Sequence, residues 1–463
     1  KFRSDHNITY YDNLLNSETS PSLRLYYLEN SYGALTVIVD VYGVVVSDYT
    51  LSYYGEDEAS IDDANVPIYE LAREAVLKAD PLIDYSMYDN NGDGFVDLVI
   101  IIHAGTGQEW SHNSTDIWSH RWSIWYDPPQ LDGVYIMDYT MQPEHYPPKE
   151  GYPRGASLLG VFCHEFGHAL GLPDLYDVDY SSSGIGNWGL MGSGSWTGVE
   201  RPGDNPAHLC AWSKAFLGYI DPVPLNPTLT GLNVLQPVET SGQVIKIPIP
   251  GHVGEYFLIE YRSTSSGALF DRAIPGSGLL IWHIDENVAY MNWDDDSYNN
   301  WEDNDVNANE SHYMVDLEEF DNYDGTQELE LGINRGEASD AWSNVEIGFW
   351  DYTNPSSRAY DSSPSRFGIY AISAATETIS FRITADIIEV RDPVTIENKT
   401  IYINSNISIV TNGVLVLNNA VVLINASHDN EFNIFVNGGE LILNNTTVKP
   451  VSTDTSYSIE VYS

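Results

Sequence analysis

The sequence predicts an α+β domain over residues 1–221, followed by all-β domains: a β-rich one over 222–385, continuous with the first domain's core, and a β-repeat one over 386–463, with a parallel β-helix as one reading of its repeat. Three observations carry this expectation. Helix-period and strand-period apolar patterns mix up to about Ile220, and one helical run is apolar on nearly every side. The proline-rich connector "DPVPLNP" then ends that texture, and strand-and-turn sequence takes over. Past Asp386, short alternating strands recur in self-similar blocks. A chain of 463 residues is too long for a single core, so several domains are expected.

In the first domain "GALTVIVDVYGVVV" (33–46) reads as strands and "PIYELAREAVLKAD" (67–80) as an amphipathic helix. "FVDLVIIIHAG" (95–105) reads as a buried strand, and "GVYIMDYTMQPE" (133–144) alternates like an exposed one. "RGASLLGVFCHEFGHALG" (154–171) is the buried helix, and "NPAHLCAWSKAFLGYI" (205–220) reads as a further helix. In the second domain "GQVIKIPIP", "EYFLIEYRS", "SGLLIWHIDE" and "YAISAATETISFRIT" are strands. An acidic, asparagine-rich stretch at 292–311 interrupts them as a long loop or a cation-binding excursion. In the third, Asn412-Gly413 recurs as Asn437-Gly438, an offset of 25 residues with an asparagine pair after each block. Rungs of a β-helix and hairpins of a β-sandwich both fit this pattern. The repeat runs on to Ser463, so further sequence or a cap is expected at this end.

The formal net charge is −47, from 67 acidic and 20 basic residues. Such a surface repels nucleic acid and anionic membranes, and it favours bound cations. No apolar run is long enough for a membrane span, and the N-terminal "KFRSDHNITYYDN" lacks the apolar stretch of a signal peptide. A secreted chain without its leader would look this way. Sequons at Asn7, Asn113, Asn309, Asn398, Asn406, Asn425 and Asn445 favour an extracellular glycoprotein. Cys163 and Cys210 are too few for a disulfide scaffold. They form either one bridge between neighbouring helices or two buried thiols.

Chemistry concentrates in "CHEFGHALGLPDLYD" (163–177). Positions i and i+4 share a helix face, so His164 and His168 can point their imidazoles at one ion about 2.0–2.1 Å from each nitrogen. Glu165 leans toward the same cleft without being a ligand. Gly171 allows the helix to end in a left-handed residue, and Asp174 can then swing back as a third ligand. A fourth position stays open for water, whose pKa zinc lowers towards about 7, and Glu165 can take its proton as it attacks a carbonyl. A bare H-E-x-x-H is a weak signal. Here the helix is otherwise apolar, so two histidines and a glutamate on it need partners.

The stretch resembles the H-E-x-x-H-x-x-G-x-x-D signature of the immune inhibitor A-like metallopeptidases, a metzincin-related group. Further likeness lies in "YDNNGDGFVDLVIIIHAGTGQEWS", "DIWSHRW", "GIGNWGLMGSGSW", "PGSGLLIWHIDE" and "MVDLEEFDNYDG", in one order along most of the first 380 residues. The resemblance implies a metzincin-like catalytic domain, a secreted zinc endopeptidase activity on protein or peptide substrates, and Met191 in a turn beneath the metal. It also implies substrate lying along an edge strand just before the zinc helix, with "VYIMDYTM" (134–141) as the candidate. Some metzincins carry a tyrosine just after this methionine; Gly192 and Ser193 stand there, so no oxyanion stabiliser is assigned. His120, Arg121 and Tyr176 lie in family-like stretches without an assigned role.

"DNNGDGFVD" places Asp89, Asn91, Asp93 and Asp97 at alternating positions, with Gly94 for the sharp turn and the Phe95 carbonyl as a further ligand for Ca2+. An EF-hand would need glutamate where Ile100 stands, so this resembles the shortened calcium loops of extracellular proteins. The acids of 315–325, with Asp285, suggest a second cation site. No G-x-S-x-G elbow supports a serine hydrolase. The remaining alternative is a surface or filament protein keeping a peptidase fold as scaffold, with cell-surface attachment or assembly through the C-terminal β domain. The intact Glu165 and ligand set favour the enzyme.

Overall fold

The computed structural model describes residues 2–462 apart from 226–230, 294–296, 322–327, 346–347, 352, 366, 386, 391–392, 404–405, 425–432 and 452–453. The Asn425 sequon lies outside the described residues. The chain divides into two compact units. The first is Lys1–Ile220 with Gly267–Pro275 and Trp301–Ala308; the second is Asp221–Ser266, Gly276–Asn300 and Asn309–Ser463. Two stretches that the sequence assigns to the β-rich region therefore fold with the first unit.

The first unit is built on a three-stranded mixed sheet. Asp138–Pro143 is its central strand, parallel to Val99–His103 on one side and antiparallel to His120–Ser123 on the other. Tyr139, Thr140, Met141 and Gln142 are buried, because this strand packs in the interior and not at an edge. The expectation that 134–141 is an exposed edge strand is thus corrected: Val134–Tyr135 pairs separately with Gln130–Leu131, both sides of Asp138–Pro143 are paired, and the edges of its sheet are Val99–His103 and His120–Ser123. Leu159–Ala169, the helix of the histidines, follows the central strand and is buried along most of its length. Tyr69–Ala79 forms the expected amphipathic helix, burying Leu71, Ala72 and Val76.

Two local expectations fail for identifiable reasons. Residues 34–47 form no strand. They find no ladder partner and leave Ile38, Val44 and Val46 exposed, and the Asn16 side chain takes the place of a neighbouring strand by bonding both Val39 N (2.9 Å) and Val39 O (2.7 Å). In 205–220 only Ala211–Phe216 is α-helical, since Cys210 is held extended at its start.

In the second unit, a five-stranded sheet runs in the order Val315–Leu317, Gly278–Asp285, Glu255–Arg262, Val244–Pro248, Val223–Pro224. A four-stranded antiparallel sheet runs in the order Phe349–Trp350, Phe367–Tyr370, Ile379–Ala385, Gly231–Leu235. Ile247, Phe257, Ile259 and Ile281 of the first share one core with Phe349, Ile369, Phe381 and Ile383 of the second. Phe257 joins the two faces, its ring centroid 5.4 Å from Phe349 and 5.3 Å from Phe367.

From Ile387 to Tyr462 the described strands form three sheets in which every pairing between strands is parallel. One contains Ile387–Val390, Asn406–Val410, Ile434–Asn437 and Ile459–Tyr462. The second contains Pro393–Glu397, Val414–Asn418 and Glu440–Asn444; the third contains Thr400–Ile403, Val421–Ile424 and Thr447–Pro450. Alternate residues such as Ile409, Leu417, Val422 and Val436 fill one interior. The asparagine pairs stack: Asn444 Nδ2 donates to Asn418 Oδ1 and Asn445 Nδ2 to Asn419 Oδ1, each at 2.8 Å. Asn398, Asn419 and Asn445 all take left-handed φ, which asparagine tolerates better than most residues. The Asn-Gly pairs do not align as the sequence offset suggests. Val410 faces Asn437 and Val414 faces Glu440, so Asn412 corresponds to Gly438, the shared feature being positive φ at both.

Replacing Phe257 by Ala removes a fully buried ring contacting both sheets of the sandwich. The expected loss is about 3–5 kcal/mol, read from denaturant unfolding followed by tryptophan fluorescence.

Candidate metal centre

The helix Leu159–Ala169 enters through close contacts: a Cβ on Gly160 would fall 1.8 Å from Ser195 O, so only glycine lets the helix approach. Its far end stops in two backbone bonds, Gly171 N to His168 O (2.9 Å) and Leu172 N to Gly167 O (3.1 Å). This is the Schellman pattern, and it places Gly171 at φ +96°, where a side chain would be strained. The reversal has a chemical consequence. Leu172 O lands 2.8 Å from His168 Nδ1, and Leu190 O lies 3.1 Å from His164 Nδ1. A carbonyl can only accept, so each Nδ1 carries the proton and each Nε2 presents a lone pair.

The two Nε2 atoms lie 3.1 Å apart. Asp174 Oδ1 sits 3.0 Å from His164 Nε2 and 3.2 Å from His168 Nε2. Among the described residues, this trio and Glu319, Asp321 and Asp340 are the two sets of three metal-capable side chains with donor atoms within 4.8 Å of one another. His164, Glu165 and Asp174 are all buried. Burial by itself would raise the Asp174 carboxyl, but the two imidazoles outweigh it and hold it well below the usual carboxylate range. Asp174 in turn raises His168 against the burial that would lower it. Asp174 Oδ1 has no hydrogen-bond donor although it is buried, and two neutral imidazole lone pairs face it. Three such atoms converging in a buried site fit a cation between them, and two nitrogens with one carboxylate oxygen suit zinc.

Glu165 lies beside this trio without joining it. Its Oε2 is buried and unpartnered. Burial pushes its carboxyl up to about 8, opposed by His164 and reinforced by Asp174 and Glu109. Glu109, itself raised by burial, is held behind by Ser119 N (3.1 Å), Ser119 Oγ (2.6 Å) and Tyr146 OH. Met191 is buried under the helix, since a Cβ on Gly167 would come 2.7 Å from its Sδ, and its carbonyl accepts from Leu175 N at 2.8 Å. That bond anchors the loop carrying Asp174. Tyr176 lies with its ring 6.2 Å from that of His164. Arg121 instead pairs with Asp138 across the sheet (2.8 Å), and His120 bonds Trp118 O and Tyr139 OH.

Cys163 and Cys210 are both buried free thiols, the second of the two alternatives that the sequence left open. Cys210 Sγ is turned to Ser213 Oγ at 3.4 Å, while Cys163 sits in the apolar flank of the histidine helix. Asp89, Asn91, Asp93 and Phe95 form a tight turn: Asp89 accepts from the N–H groups of Gly92, Asp93 and Gly94, Asn91 from Asp93 N, and Asp93 from Phe95 N. Asp97 is bonded by Asn90 Nδ2. Asp285 does not join the acids of 315–321: it accepts from His312 (2.9 Å) and Asn287 N (3.0 Å), and Glu319 and Asp321 converge with Asp340 instead. Residues 322–325 of that stretch lie outside the described residues. Sequence reasoning missed Asn304, whose Nδ2 reaches Asp174 Oδ2 from 130 positions away. No local pattern announces such a contact.

The helix of His164 and His168, Asp174 and the buried Met191 all lie in the stretch of this chain that is similar to known metallopeptidases. Residues 5–219 match the family model described as the immune inhibitor A peptidase M6 catalytic domain. The chain is 33% identical over 233 residues to the pre-pro-metalloprotease PrtV of Vibrio cholerae, an alignment covering 44% of this chain and 24% of that protein. It is 31% identical over 256 residues to immune inhibitor A of Bacillus thuringiensis subsp. alesti, covering 46% of this chain and 36% of the relative. The chain thus spans well under half the length of either relative.

Denaturing the unreduced protein is expected to expose two titratable thiols per chain in a thiol-reagent assay; a count of zero would restore the bridge.

Proposed function

We propose that this chain is a zinc-dependent endopeptidase that hydrolyses peptide bonds in extracellular proteins. The observation that carries the reading is the convergence of His164 Nε2, His168 Nε2 and Asp174 Oδ1 beside the unpartnered Glu165 Oε2. His164, His168 and Asp174 would hold the ion, which when bound supplies Lewis acidity towards water and a carbonyl oxygen. Glu165 is the base: its free oxygen receives a proton, and apolar surroundings make it a better acceptor than an exposed carboxylate. The backbone carbonyls of Leu172 and Leu190 keep both imidazoles in one tautomer throughout. A peptide adds to the free side of His120–Ser123, the edge strand antiparallel to Asp138–Pro143. That strand replaces 134–141 as the substrate edge.

Calcium binding by the Asp89–Asp97 turn belongs to the same proposal, supported by its alternating oxygens and by Gly92 and Gly94 at positive φ. The stacking of three parallel sheets over residues 387–462 supports reading the C-terminal part as a parallel β-helix. Secretion is part of the proposal too, resting on the sequons and the acidic surface. Among the described residues no helix is long and apolar enough to cross a membrane.

Changing Glu165 to Gln is expected to leave one zinc per chain by metal analysis while casein hydrolysis falls by at least about 100-fold. Undiminished turnover would remove Glu165 from the mechanism. A calcium chelator, at a dose sparing zinc, is expected to lower the melting temperature by at least about 2 °C; an unchanged melting curve counts against the calcium loop.

A further inference from the structure

The acidic insertion contributes one stretch, Trp301–Ala308, to the compact unit that holds the metal site. Three anchors fix it there. The Trp301 ring lies 5.5 Å from Phe216 and 6.5 Å from Trp212, on the helix Ala211–Phe216. Asn307, fully buried, donates from Nδ2 to Leu175 O at 3.2 Å. Between them, Asn304 makes two bonds to one residue: its Oδ1 accepts from Asp174 N (2.7 Å), and its Nδ2 donates to Asp174 Oδ2 (2.5 Å).

We infer that Asn304 is a positioning residue for the metal, an amide clamp that aims the third ligand. This rests on the zinc reading of His164, His168 and Asp174. A carboxylate has two oxygens and can rotate about its side-chain bonds, so a fixed ligand needs a second partner. Asn304 occupies Oδ2 and the backbone N–H together, which leaves Oδ1 alone to face the two Nε2 atoms. The clamp is neutral. An arginine or lysine there would compete with a metal for the carboxylate charge, whereas an amide orients the group and leaves its charge available. Asn304 itself sits at φ 62°, a left-handed conformation that asparagine adopts more readily than most residues. The first unit is therefore incomplete at its metal site without Asn304, which lies 85 positions beyond the end of the 5–219 family match (304 − 219).

The test uses the full chain and zinc alone, read by competition with a chelating dye. Asn304→Asp preserves size and the acceptor for Asp174 N, but sets an anionic oxygen against Asp174 Oδ2 where a donor stood. It is expected to weaken zinc binding by about 10–100-fold and to change the visible absorption of the cobalt-substituted protein. Asn304→Gly, which keeps the left-handed backbone and adds no charge, is expected to weaken zinc in the same direction and is the deciding variant if the aspartate form does not fold. Folding is checked by the metal-free circular dichroism spectrum. Zinc affinity within about twofold of the parent in the folded variant overturns the clamp. A parent that binds no zinc, or a His168→Ala variant that binds it as tightly as the parent, overturns the metal reading itself.

Discussion

The turn at Gly171 is the constraint on which the site depends. Positive φ at one residue ends the histidine helix, and the same reversal puts Leu172 O against His168 Nδ1 and returns the chain so that Asp174 reaches both Nε2 atoms. Helix termination, tautomer selection and delivery of the third donor are one backbone event. A side chain with a Cβ at this position would strain the conformation and disturb all three together.

Around that turn, the structure answers the cost of burying polar groups with carbonyls and amides instead of opposing charges. Both imidazoles lean on main-chain oxygens, Asp174 on the Asn304 amide, and the Asp174 loop on Met191 O. Neutral partners fix geometry without consuming the carboxylate charge, which leaves that charge available to a cation under the proposed zinc reading. Glu165 stands apart from this network. Burial raises its carboxyl and Oε2 lacks a partner, which sets it apart from His164, His168 and Asp174 although it adjoins His164 in sequence.

Much of the site was legible because its spacing is local. His164, Glu165, His168, Gly171 and Asp174 fall within eleven positions, and helix periodicity plus one glycine place them. The same holds for the C-terminal asparagine pairs, whose recurrence reflects side chains stacking between parallel strands. What failed was pairing. Residues 34–47 carry an alternating apolar pattern but no partner strand, and 134–141 looks like an edge although Asp138–Pro143 is central. Alternation reports which face is apolar; it does not say which strand lies alongside.

The sequence by itself determined the clustering of His164, Glu165, His168 and Asp174, the helix that carries the first three and the repeating texture of the C-terminal strands, since each follows from periodicity within one segment. Only the tertiary structure decided that His120–Ser123 is an edge of its sheet and Asp138–Pro143 the centre, that Cys163 and Cys210 stay apart, and that Asn304 bonds Asp174. Those outcomes depend on contacts between segments distant in the chain, and such contacts are set by how whole elements pack, which no local spacing encodes.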